Sequence, residues 1–183
     1  LAGLSGLALF HPALFWLSNL LGGGTWTRIL HPFIGVAMFI LFAVLALRFV
    51  GRNRFKAHDR EWLSKWRKVI NTQEDDVPAV GKYNGGQKVL FWVLIISMIM
   101  LLLSGIVIWR EYFSGFFAID IIRLASLLHA FFAFVLISSI IVHVYAAIWV
   151  KGSIGAMTSG KVSQSWARKH HRLWYDEMRK KER

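Results

Sequence analysis

Three runs of this chain, residues 29–50, 89–109 and 121–150, are almost wholly apolar and at least 21 residues long. An α-helix needs about 20 such residues to cross about 30 Å of hydrocarbon. Backbone in lipid has to satisfy its own hydrogen bonds, so each run reads as a transmembrane helix. A fourth apolar stretch, residues 1–10, is too short to span. Because "LAGLSGLALF" opens inside an apolar run without an initiator Met, it is expected to be the end of a helix whose beginning lies upstream. The expected fold is an all-α membrane protein: a four-helix transmembrane bundle truncated at its N-terminus, with a cytoplasmic interfacial helix and a basic C-terminal tail. A chain that is 56% hydrophobic fits this class better than a soluble domain.

The net charge of +12 would suit nucleic acid if it were spread over one surface, but nine of the 22 Lys and Arg lie in residues 51–88 and nine in 151–183. Arg48 adjoins the first cluster, leaving Arg28, Arg110 and Arg123 for the opposite side. That asymmetry places both basic segments in the cytoplasm, with four spans and an inside N-terminus. Nucleic acid is not an expected partner; membrane lipid is. The absence of cysteine excludes disulfides, thiolate metal sites and protein-held iron–sulfur clusters.

Residues 1–150 therefore read as the membrane bundle and 151–183 as a cytoplasmic tail, either helical or an ordered arm. The connection 11–27, with Pro12 and Gly22 to Gly24, reads as an outer loop holding a short interfacial helix, and the second span is expected to start near Arg28. In the inner loop 51–88, "WLSKWRKVI" places Trp62, Leu63, Trp66, Val69 and Ile70 on one helical face, as a helix lying on the membrane surface would. The polar stretch after it, with Gly81, Gly85 and Gly86, is expected to hold no helix before the third span. "EYFSGFFAID" is a short outer link.

Histidine in hydrocarbon is costly and marks a functional candidate. His129 and His143 are 14 residues apart in the last span. That spacing is about 21 Å along a helix, and the two directions differ by only about 40°. Both rings then face one groove at two depths. Imidazole is a strong axial ligand for haem iron, and helical bundles hold cofactors between facing helices. His31, in "RILHPF", lies at the same outer depth as His129, so both can reach one iron. No visible span histidine faces His143, whose partner is expected on the upstream part of the first helix. Against this stands the plainer reading of a hydrogen-bonded interfacial histidine, strongest for His31 taken alone. His11 reads as interfacial, and His58, His170 and His171 as solvated. Gly3, Gly6, Gly35 and Gly105 would admit either a neighbouring helix or a flat macrocycle. A proton-relay transporter would need acidic groups in the spans, which hold no Asp or Glu. A membrane anchor without haem would not need the histidine spacing.

The sequence resembles the cytochrome b (gamma) subunit of respiratory, membrane-bound formate dehydrogenase. The likeness runs through "TRILHPF", where Thr27 replaces a Gly, "VGKYNGGQK", "GIVIWREYF", the two histidines of the last span, "AAIWVKGSI" and "GKVSQSWARKHHRLWY". Cytochromes of quinone-linked hydrogenases and thiosulfate reductases share the histidine pattern but are less similar in the loops. The resemblance implies two haem b groups stacked across a bacterial inner membrane, His31 and His129 binding the outer one and His143 one face of the inner one. It implies menaquinone or ubiquinone reduction near the inner haem, at a site walled by Asn84, Gln87 and His143. Amide donors for the quinone carbonyls, with Gly85 and Gly86 letting the backbone approach, suit that chemistry; a helix N-cap at Asn84 is the competing reading. Lys82, Tyr83 and Lys88 are either site residues or interfacial anchors. Implied partners are a molybdenum or tungsten catalytic subunit and an iron–sulfur subunit, assembled as a trimer of heterotrimers. Arg110 and Arg123 are candidates to pair with haem propionates, or simply snorkel.

Overall fold

The computed structural model describes residues 1–70, 78–150 and 152–181. The expectation of an irregular polar stretch at 71–77 and the placing of the Val69 and Ile70 side chains on an apolar face lie outside the described residues. Within those residues the chain is helical and contains no strand. Helix α1 spans Ala2–Phe10, followed by a 3₁₀ segment over Pro12–Leu21. Three helices are long and apolar enough to cross a membrane: α2 (Gly24–Phe49), α5 (Gly85–Ile108) and α6 (Ile119–Trp149). Between α2 and α5 lie α3 (Ala57–Ser64) and α4 (Trp66–Ile70). After α6 come α7 (Ser153–Ser159), α8 (Gln164–His170) and α9 (Arg172–Lys181).

The all-α membrane architecture stands, and several boundaries differ from expectation. Helix α2 begins at Gly24 rather than near Arg28, because the turn is completed earlier. Gly22 and Gly23 take positive φ of 83° and 96°, the left-handed region glycine enters without strain. Their N–H groups close the 3₁₀ segment on the Asn19 and Ser18 carbonyls. The buried Thr27 hydroxyl then bonds the Gly23 and Ser18 carbonyls at 2.9 and 3.3 Å. A ten-residue 3₁₀ run is unusually long; Pro12 opens it, and the His11 ring caps it by accepting the Ala13 N–H at 3.2 Å. Helix α5 also starts early. Gly85 and Gly86 form its first turn instead of breaking it, because Asn84 and Gln87 cap each other. Helix α6 runs unbroken through a stretch with no Gly or Pro.

The chain forms two compact units: residues 1–48 with 93–140, and 49–92 with 141–183. In the first, the buried positions are small or polar: Ser5, Ala8, Ser18, Thr27, Ser97, Ser104 and Ala125, with Met98 the one larger apolar side chain. Large apolar residues face outward, Leu41 and Phe134 at 69% exposure each. Water would not support that inversion. Lipid does, since association of helices there rests on close approach of small and hydroxyl residues rather than on burying leucine.

The second unit holds more tertiary structure than a solvated loop and tail would. The expected single surface helix is broken at Lys65 into α3 and α4. Trp62 and Leu63 turn toward the start of α5, where a Cβ added at Gly85 would lie 2.9 Å from the Trp62 ring and 3.0 Å from Leu63. Trp66 remains half exposed, with Arg67 stacked on it. The basic tail is three helices rather than an arm. Gly152 (φ 92°) and Gly160 (φ 68°) bound α7, and Trp166 fills the space a side chain at Gly152 would need. The backbone of Leu173 bonds the Val80 carbonyl at 3.1 Å, tying α9 to the segment before α5.

Candidate functional site

His31 lies on α2 just before Pro32, and His129 on α6. Their ring centres are 6.2 Å apart, with planes at 77°. Two imidazoles on opposite faces of one metal, with bonds of about 2 Å each, have ring centres about 6 Å apart. The distance therefore suits a shared metal. It exceeds what direct hydrogen bonding between the rings would give.

Hydrogen bonding fixes which nitrogen each ring offers. The Ser5 hydroxyl, on α1, lies 2.8 Å from His31 Nδ1 and 3.0 Å from the carbonyls of Leu1 and Ala2. The Ser104 hydroxyl, on α5, lies 3.0 Å from His129 Nδ1 and 2.6 Å from the Met100 carbonyl. A carbonyl only accepts, and a hydroxyl has one proton to give. Each serine thus donates to its own helix and accepts the Nδ1–H of the histidine. On that sharing both rings are Nδ1–H tautomers with an unprotonated Nε2, and the His129 ring has the Leu101 carbonyl as a further hydrogen-bond partner. An outer-shell partner on the distal nitrogen is the usual mark of a metal-binding imidazole. Among the described residues no three His, Cys, Asp or Glu converge, but a porphyrin brings its own equatorial nitrogens, so two axial imidazoles are a sufficient protein ligand set.

The glycines divide by role. A Cβ at Gly6 would meet His31 Cε1 at 3.4 Å, and one at Gly105 would meet His129 Cε1 at the same distance. These two admit an imidazole edge. Gly3 and Gly35 face open space among the described residues.

The second group of sequence candidates is brought only partly together. Asn84 Oδ1 accepts the Gln87 N–H and Gln87 Oε1 accepts the Asn84 N–H, each at 2.9 Å. The competing N-cap reading is therefore realised, and it uses the side-chain oxygens, leaving both amide NH₂ groups without a hydrogen-bond partner among the described residues. His143 is exposed on α6 and makes no hydrogen bond among the described residues. Gly85 and Gly86 do not wait for a ligand: the Trp62 ring and the Asp59 carbonyl occupy the space beside them. Lys88 is neither a free site residue nor an anchor. Its ammonium is buried 2.6 Å from Asp59 Oδ2, and Asp59 is wholly buried.

Other assignments need correction. His58 is part-buried rather than fully solvated; its Nε2 is buried 3.6 Å from Asp59 Oδ1. His171 is buried and donates Nδ1–H to the Gly81 carbonyl at 2.8 Å, against Trp166 and Trp174. Burial pushes its pKa below the usual 6.5, the Gly81 carbonyl pulling up and neighbouring His170 pushing further down. His170 packs on Trp166 with ring centres 5.1 Å apart. Arg110 is exposed, and Arg123 lies 3.6 Å from Asp120 with both side chains in the open. Sequence reasoning missed Ser5, Ser104 and Asp59. The serines had a signal, since the tripeptide Leu-Ser-Gly occurs at 4–6 and again at 103–105, each time with Ser on the ring nitrogen and Gly under the ring edge.

The family model described as prokaryotic cytochrome b561 matches residues 1–160. The chain is 46% identical over 180 residues to the formate dehydrogenase cytochrome b556(fdo) subunit of Escherichia coli, covering 98% of this chain and 84% of that one. It is 43% identical over 182 residues to the nitrate-inducible formate dehydrogenase cytochrome b556(Fdn) subunit of the same organism, covering 100% and 84%. The formate dehydrogenase cytochrome b556 subunit of Haemophilus influenzae is 44% identical over 173 residues, covering 94% and 73%.

Proposed function

This chain belongs to the prokaryotic cytochrome b561 family, and on that premise we propose that it is the di-haem cytochrome b membrane subunit of a formate dehydrogenase complex. The observation that carries the proposal is the His31–His129 pair, at a bis-imidazole distance with both Nδ1 atoms tied down. A haem b held there would supply reversible one-electron chemistry. His31 and His129 would hold it toward the outer face of a bacterial inner membrane, and His143 would hold one side of a second haem b nearer the cytoplasm. The apolar spans keep water from the path between the two levels. Asn84 and Gln87 turn their amide donors to the carbonyls of a menaquinone or ubiquinone, and solvent at the exposed Gln87 feeds protons to that end. The basic segments face the cytoplasm, the side their excess of Lys and Arg favours. Catalytic molybdenum or tungsten and iron–sulfur partner subunits oxidise formate on the outer side and deliver electrons inward. Protons are released outside and taken up inside, so turnover separates charge, and the heterotrimers assemble further into a higher oligomer.

The test is a reduced-minus-oxidised optical spectrum with haem quantification on the purified native complex. Two haem b per chain are expected, reducible by formate, with one component lost in His129→Ala. Absence of b-type bands from haem-replete complex would overturn the cytochrome reading. Reduction by hydrogen and not by formate would move the subunit to another quinone-linked complex.

A further inference from the structure

We propose that Ser5 and Ser104 are positioning residues that set the tautomer, the ring orientation and the electron-donating strength of the two outer imidazoles, and through them the reduction potential of the group bound there. The inference rests on the haem reading of His31 and His129 but concerns residues that reading does not use.

Each serine closes a relay Nδ1–H···Oγ–H···O=C into its own helix. At Ser5 the distances are 2.8 Å to the ring and 3.0 Å to the Leu1 and Ala2 carbonyls. At Ser104 they are 3.0 Å to the ring and 2.6 Å to the Met100 carbonyl. Because its own proton is committed to the helix, the hydroxyl is polarised as an acceptor, and an imidazole whose N–H is drawn toward an acceptor donates more strongly through its other nitrogen. That favours ferric over ferrous iron and holds the potential down. The histidines come from α2 and α6 and their serines from α1 and α5, so all four helices meet at this level of one unit. Both serines are buried, at 2% and 5% exposure, so water cannot readily take the place of the lost oxygen. The glycine that follows each serine lets the ring edge sit against the helix, with a would-be Cβ 3.4 Å from Cε1 in both places. The arrangement holds the two planes nearly perpendicular, at 77°.

The experiment is a potentiometric titration and ferric electron paramagnetic resonance of the purified complex carrying Ser5→Ala or Ser104→Ala, with Ser5→Thr and Ser104→Thr as rescue variants. Outer-shell partners change metal affinity by about tenfold or more. A tenfold loss falling on the ferric state converts to an upward shift of about 59 mV for a one-electron couple. Both alanine variants should shift the same one of the two haem components and leave the other in place, because both histidines serve one iron. The wild-type low-spin signal of the shifted component should be strongly anisotropic, as near-perpendicular imidazoles give, and should change shape in the alanine variants. Threonine keeps the hydroxyl on its helix and should restore both readouts. If Ser104→Ala sheds haem altogether, Ser104→Thr decides: retention at the wild-type potential supports the assignment, and a shifted potential or loss overturns it. Alanine variants that keep both haems with unchanged potentials and signals overturn the positioning role and leave the cytochrome reading intact. Wild-type complex without b-type haem would instead overturn the reading beneath it.

Discussion

Replacing Lys88 by methionine tests the most deeply buried charge pair among the described residues. The Lys88 ammonium and Asp59 Oδ2 are 2.6 Å apart, with side chains 3% and 0% exposed. The same oxygen accepts the Lys56 N–H at 2.6 Å and so starts α3, while Oδ1 has no hydrogen-bond partner among the described residues. Methionine replaces most of the stem volume and removes only the charge and donors. The buried Asp59 carboxylate would then keep the Lys56 N–H and, 3.6 Å from Oδ1, the His58 ring, and removing one member of a buried pair costs about 3–5 kcal/mol. At about 1.4 kcal/mol per factor of ten, local opening of α3 should rise by roughly two to three and a half powers of ten. Hydrogen exchange with mass spectrometry on the complex in lipid nanodiscs reads this directly. Peptides from α3 and the first turn of α5 should lose protection, while those from residues 119–140 should not change. Asp59→Asn together with Lys88→Met should recover much of the loss, because the amide oxygen can still accept the Lys56 N–H and no buried charge is left unpaired. A change of less than tenfold in Lys88→Met, or a double variant as unprotected as the single one, would show that water or another group already compensates the carboxylate. The pairing would then not be what holds α3 to the capped start of α5.

Gly85→Ala should destabilise the same unit, since its Cβ would lie 3.0 Å from the Asp59 carbonyl, which is backbone and cannot swing aside. Overpacking of about 1–3 kcal/mol outweighs the helix-propensity gain of about 1 kcal/mol. Gly3→Ala, with nothing within 4 Å, should be neutral or mildly stabilising in the same thermal melt, and equal effects at the two sites would refute the distinction. The lowered pKa of His171 makes a pH prediction with a definite sign. Its folded form binds a proton less readily than the unfolded chain, so its contribution is whole above pH 6.5 and is lost as pH falls from 6.5 through the lowered folded value. Melting temperature should therefore drop over that window in wild type and drop less in His171→Phe; parallel profiles would contradict the burial of that ring.

The spans were legible, and His31, His129 and His143 stood out as candidates, because each breaks an expensive rule of its surroundings. Twenty apolar residues in a row are disfavoured in water, and imidazole is disfavoured in hydrocarbon, so both stand out against composition. Ser5 and Ser104 break no such rule. A hydroxyl in a lipid-embedded helix satisfies itself on the carbonyl four residues back, so it carries no penalty that a reading of polarity would detect. Asp59 and Lys88 were hidden for the opposite reason: they sit 29 residues apart among many charges, and a charge run reads as solvated until its partner is known. His58 and His171 were misread with them, since what buries His171 is Trp166 and Trp174 from the same basic tail. What would have found the serines is not polarity but repetition. Leu-Ser-Gly appears once on α1 and once on α5, and each copy meets a histidine of a different helix through the same two atoms, a hydroxyl on Nδ1 and an open Cα beneath Cε1. One such contact is ordinary helix packing. Two, aimed at rings 6.2 Å apart, are the arrangement on which the proposed haem site rests, since a haem takes two axial ligands.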